Sequence, residues 1–274
     1  MQDAKILKLK QGDQFRKDAI FALGNSTTVV GINSPYINSQ SQGEISLFNA
    51  GVNGSSLAHV ADFALQHLIP NHSPSALVLL IAPGMLNVGS DKGSTSLLSN
   101  GIRDWLSKSF YTFKYRNNLR DPMTLNSFRK SLLSWRLGFG IVNSWAKDMD
   151  MAGYSLLDSP TNSISGGWTF EEMNTKSIYA GELGMDDIET LRKLQKSAEN
   201  AGAKIIISTV PLPYLNETYR LEIEFLAELL DIHFISGNDA VTSGMYFSDG
   251  IHLNAEGALI FSDFMARELL KLNQ

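Results

Sequence analysis

Four short motifs carry the side chains that could do chemistry: Gly24-Asn25-Ser26, Gly51-Val52-Asn53-Gly54, Pro83-Gly84-Met85-Leu86-Asn87 and Asp249-Gly250-Ile251-His252. Together they offer a hydroxyl, backbone donors, a side-chain amide and an Asp-His pair. Those are the parts of acyl transfer through a serine nucleophile. Each motif also has a plain structural reading. Ser26 can cap a helix, Gly51 and Gly54 can permit a tight turn, and Asn87 can be a turn residue. Asp249 can pair with His252 for structure alone, although a short loop readily brings a carboxylate to a ring three residues on. The four in this order are more specific than any one.

The elements around them form a rhythm. Apolar runs at 19–23 (AIFAL), 45–50 (ISLFNA), 76–82 (ALVLLIA), 204–210 (KIIISTV) and 232–235 read as strands. Between them, apolar residues recur at helical spacing. One helix starts after Ser55 or Ser56 and carries Leu57, Val60, Phe63, Ala64 and Leu68. Others run over 186–201, around 220–230, and from Asn254 to about Leu272. Strands that are apolar throughout, alternating with amphipathic helices, predict a parallel sheet covered on both faces. In such a sheet ligands bind beyond the C-terminal ends of the strands, and the first three motifs stand at such ends. The fourth lies just before the last helix.

Residues 90–185 break the rhythm. The stretch is rich in Ser and Asn, holds all four Trp (Trp105, Trp135, Trp145 and Trp168) and has no convincing strand. Helices are expected over 97–110 and 125–137, making it a mostly helical insertion in a single domain spanning 1–274. Between 103 and 147 nine basic residues face two acidic ones, so this part carries +7 within a chain of net charge −5. A solvated helical cap explains that asymmetry. So does a surface that recruits an anionic polysaccharide or a membrane surface, whose binding would weaken as salt rises.

Composition removes several alternatives. Among 274 residues there is no cysteine, which excludes disulfides, thiolate metal sites and a cysteine nucleophile. No Gly-x-Ser-x-Gly, Walker loop, Gly-x-Gly-x-x-Gly or His-Glu-x-x-His occurs. His59, His67 and His72 lack a matching carboxylate and read as surface residues rather than a zinc site. His233, in a short strand, reads as packed or half-buried. The overall acidity disfavours nucleic acid as a partner. No apolar run nears the roughly 20 residues that span a bilayer, and MQDAKILKLKQGDQFRKD has no secretory h-region. The chain as given is expected to be soluble. It would be cytoplasmic, or at the cell envelope if an upstream signal or anchor has been removed.

In order and distance along the chain, the four motifs resemble the blocks of the SGNH (GDSL-type) hydrolase family over residues 19–271, the insertion excepted. The resemblance implies a three-layer α/β/α fold with a flavodoxin-like parallel sheet. It also implies Ser26 as nucleophile, His252 as base and Asp249 as the residue orienting the ring. The backbone N–H groups of Ser26 and Gly54, with the Asn87 amide, would receive the oxyanion. Two blocks depart from the family pattern. The first reads Gly-Asn-Ser-Thr where the family has Gly-Asp-Ser-Leu, and the third is one residue longer than Gly-x-Asn. The first block resembles a divergent branch associated with envelope and exopolysaccharide O-acylation. The implied function is that of a serine esterase or O-acyltransferase. Its substrate would be a small O-acyl ester such as an acetylated carbohydrate, with no metal or organic cofactor. The alternative is a catalytically inactive module that keeps the fold and binds glycans.

Overall fold

The computed structural model describes residues 19–86, 183–213, 217–248 and 251–272. Five strands pair in parallel in the order β2-β1-β3-β4-β5. They are β1 (Ile20–Leu23), β2 (Leu47–Asn49), β3 (Ala76–Ile81), β4 (Lys204–Thr209) and β5 (His233–Ile235). Every residue of β1 and β3 is buried. Helices cover both faces of these strands, so neither face can alternate with polar residues. That is why the runs are legible as uninterrupted apolar sequence.

Two short helices, α1 (Ser26–Gly31) and α2 (Ser34–Gln40), connect β1 to β2. The connection to β3 is α3 (Leu57–Phe63), continued by a π-helical turn (Ala64–Leu68) and a last turn (Ile69–His72). Further on, α4 (Met185–Asn200) leads into β4, α5 (Glu217–Leu229) joins β4 to β5, and α6 (Ala255–Lys271) follows the last strand. Helix α6 packs on α1 and α2, and α4 packs on α3. The Gln195 amide of α4 donates to the Leu230 carbonyl just after α5. One face therefore holds α1, α2 and α6, and the other holds α3, α4 and α5. The result is the three-layer α/β/α fold with a parallel sheet.

Most expected elements lie within one to three residues of those observed. Ser56 is the cap of α3, its hydroxyl accepting from His59 N–H. Helix α2 is an addition, and α1 is signalled only by Ser26 as a possible cap, whereas the cap is Asn25 and Ser26 the first helical residue. Ser-Thr-Thr-Val-Val-Gly is a poor helix sequence, rich in β-branched residues that lose side-chain freedom in a helix. For α2 a usable signal exists. Asn33 caps it, accepting from Tyr36 N–H at 3.1 Å, and Pro35 stands in its first turn. The expected insertion, with its helices over 97–110 and 125–137, falls outside the described residues except for its last three positions.

Three histidines need correction: His233, expected packed or half-buried, and His67 and His72, expected at the surface. His233 is exposed rather than packed, because it opens the short strand at the sheet's edge. His59 is exposed, whereas His67 and His72 are half-buried against Phe63 and Phe21. Burial lowers the pKa of His72 from its ordinary value of about 6.5. The folded protein thus holds this ring neutral where the unfolded chain would protonate it. Its contribution to stability is present above about pH 6.5 and declines as pH falls below that value. His72→Gln is therefore expected to lose less stability than the parent between pH 7 and pH 5. The difference should be under about 1 kcal/mol, since the ring is only half-buried. Urea midpoints at the two pH values check it.

Candidate functional site

Strand β1 has β2 on one side and β3 on the other. The chain leaves neighbouring strands in opposite directions here, which opens a crevice at their C-terminal ends. Ser26 stands at this place. Gly24 makes the tight exit from β1 possible, for a Cβ there would run into Thr28 Oγ1 and lie 2.7 Å from the Leu80 carbonyl oxygen. Gly24→Ala is expected to cost roughly 1–3 kcal/mol by overpacking against a backbone that cannot yield, measurable as a lower urea midpoint. Asn25 follows as the cap of α1. Its Oδ1 accepts from Thr27 N–H at 3.0 Å and from the Thr27 hydroxyl at 2.8 Å. Ser26 is consequently not the cap but the first helical residue, with its hydroxyl free for other partners.

The neighbouring loops are laced to this exit by backbone bonds. Val52 N–H donates to the Gly24 carbonyl at 2.9 Å, and Leu57 N–H donates to the Met85 carbonyl at 3.0 Å. The buried Tyr219 hydroxyl donates to the Ile81 carbonyl and accepts from Val210 N–H at 3.3 Å, closing the ladder where β3 and β4 part. Gly54 lies on the loop between β2 and α3, exposed and with φ +68°. Glycine suits this left-handed position because a side chain there is strained.

His252 is held from the other end of the chain. Ser248 N–H donates to the His252 carbonyl at 2.8 Å, and the Ser248 hydroxyl donates to it at 3.1 Å. Phe247 and Leu253 pair as an antiparallel bridge, and Asn254 N–H donates to the Tyr246 carbonyl at 2.8 Å. The Asn254 side chain caps α6 by accepting from Gly257 N–H at 2.9 Å and donates to the Met245 carbonyl at 2.8 Å. The histidine thus sits between the bridged Phe247–Leu253 pair and the start of a seventeen-residue helix.

These two supports bring Ser26 and His252, 226 residues apart in sequence, into contact. Ser26 Oγ lies 2.8 Å from His252 Nε2, and both residues are half-buried. In the neutral ring protonated at Nδ1, Nε2 accepts the serine proton, which is the geometry needed for base-assisted attack. Asn87 and Asp249 lie outside the described residues. Among the described residues no group of three His, Asp or Glu side chains is placed to hold a metal ion, and no helix is long and apolar enough to cross a membrane. A groove of about 460 Å³ opens at the opposite end of the sheet, beside Ile20, Ala76, Lys204 and His233. It lies at the strands' N-terminal ends, away from the serine and histidine.

No protein-family model matches the chain, and no curated protein matches it. Among solved structures it is similar to a GDSL-like lipase from Bacteroides thetaiotaomicron, at 11% identity and a TM-score of 0.47, over 99% of this chain and 98% of that one. It is similar to a carbohydrate acetylesterase from Sinorhizobium meliloti, at 9% identity and a TM-score of 0.46, over 93% and 99%. A third is the aryl esterase of M. smegmatis, at 8% identity and a TM-score of 0.44, over 93% and 99%. All three scores fall below 0.5, so what this chain does is read from its own atoms.

Proposed function

We propose that the chain is a serine-dependent acyl hydrolase or acyltransferase in which Ser26 is the nucleophile and His252 the general base. The observation that supports this reading is the 2.8 Å contact between Ser26 Oγ and His252 Nε2 at the crevice beside β1. As Oγ attacks an ester carbonyl, its proton passes to Nε2. The imidazolium then gives that proton to the departing alkoxide, leaving an acyl-serine. In the second half, water or a sugar hydroxyl loses its proton to the same nitrogen, attacks the acyl carbon and restores the serine. The Ser26 and Gly54 N–H groups and the Asn87 amide are the proposed oxyanion donors, and Asp249 the proposed orienting group for the ring. An O-acetylated carbohydrate is the substrate class that the SGNH resemblance implies.

A fluorophosphonate probe tests the reading directly. Intact mass should rise by one phosphonyl group, peptide mapping should place it on Ser26, and Ser26→Ala should not label. Acetate release from an acetylated oligosaccharide, with and without an added sugar acceptor, then separates hydrolysis from transfer. A folded protein that neither labels at Ser26 nor releases acetate would overturn the proposal and leave the glycan-binding module.

A further inference from the structure

Helix α1 presents Ser26 but should not be stable by itself. It has six residues, whereas isolated helices shorter than about 12–15 residues are marginal in water. Of its last carbonyls, that of Thr28 accepts from the Ile32 N–H of the cap at 3.1 Å, and those after it have no partner within the helix. Two fully buried side chains from different elements supply partners. Asn49, closing β2, donates through Nδ2 to the carbonyls of Thr28 at 2.7 Å, Ile32 at 2.9 Å and Val29 at 3.2 Å. Its Oδ1 accepts from Gly51 N–H at 3.0 Å, and this settles which way the amide faces. From the opposite side Ser262 of α6 accepts from Asn33 N–H at 2.8 Å and donates to the Gly31 carbonyl at 3.4 Å.

The two clasps have different reach. Asn49 ties the nucleophile's helix to the loop leading to Gly54. Ser262 ties it to α6, whose cap residue Asn254 stands two positions after His252. The element behind the serine and the element behind the histidine are therefore joined through one buried hydroxyl. Side chains that act together at a site need placement within about 0.5 Å, and a six-residue helix cannot supply that alone.

We propose that Asn49 and Ser262 are positioning residues that set the separation of Ser26 Oγ and His252 Nε2. The use of that separation in acyl transfer rests on the proposed function; its being set by the clasp does not. The test uses the full chain labelled with 15N-histidine, and follows the His252 ring nitrogens by NMR at neutral pH. His252→Gln identifies the signal, and Ser26→Ala defines its position without the serine contact. Ser262→Ala, a small change expected to fold, should move the His252 signal part of the way towards the Ser26→Ala position. Asn49→Ala should move it further. Leu194→Ala, in the buried row of α4 on the other face, is the control: it lowers the melting temperature yet leaves the signal in place.

On a small ester, Ser262→Ala should lower kcat by about tenfold with KM unchanged, as expected for a modest misplacement of the reacting groups. A folded Ser262→Ala protein with the parent's His252 signal and kcat would overturn the clasp. If Asn49→Ala does not fold, the Ser262→Ala spectrum decides. If the signal moves as expected but the parent shows no ester turnover, the clasp stands and the proposed function falls. Turnover that depends on Ser26, together with an unmoved signal in Ser262→Ala, removes the clasp and leaves the proposed function standing.

Discussion

Ser26→Ala is expected to lower kcat on a small acetyl ester by roughly 10⁴–10⁶, the span of single removals within a serine-histidine-aspartate unit. The size follows from the chemistry, since no acyl-enzyme can form without Oγ. Stability should change by less than about 0.5 kcal/mol. Helix α1 keeps its cap, because Asn25 rather than Ser26 holds the first-turn N–H, and the lost hydroxyl is only half-buried. Turnover and urea unfolding on the same preparation check both halves. Activity within tenfold of the parent would show that another group attacks.

His252→Ala should bring a loss of similar order, and adding Ser26→Ala to it should cost almost nothing more. Residues that work as one unit are strongly non-additive, and the proposed mechanism makes the two side chains joined by the 2.8 Å contact such a unit. Turnover of the parent, the two single variants and the double variant on the same ester checks this. A double variant more than about tenfold slower than either single one would show that the two side chains act separately.

The parts legible in the sequence are those whose local pattern and tertiary surroundings agree. Strands β1 and β3 are legible because both faces are covered, so every position has to be apolar. Helices α4 and α6 are legible because each buries one stripe, with Ile188, Leu191, Leu194 and Ala198 in the first and Ala258, Phe261, Met265 and Leu269 in the second. Helix α1 is legible only as a possible cap at Ser26, because its Thr and Val residues favour other conformations and its stability is supplied by neighbours. Asn49 and Ser262 are hidden for the same reason. Each is an ordinary polar residue whose partners at the nucleophile's helix lie off in sequence, 17 positions for Asn49 and Ile32 and 229 for Ser262 and Asn33. The one hint is an asparagine closing a short apolar strand, where this residue is disfavoured.

The sequence by itself determined the alternation of strands and helices, the parallel sheet, and the order of four polar motifs along the chain. These are local properties: the burial period of each element and the turn residues that end it dictate them. Only the tertiary structure decided that Ser26 meets His252. That contact depends on where β1 sits in the sheet and on how α6 packs against α1. It also depends on buried polar groups that hold a six-residue helix in place. Their energy comes from satisfying buried backbone groups, the Asn33 N–H and the Gly31 and Ile32 carbonyls among them, a demand that exists only once the layers have closed.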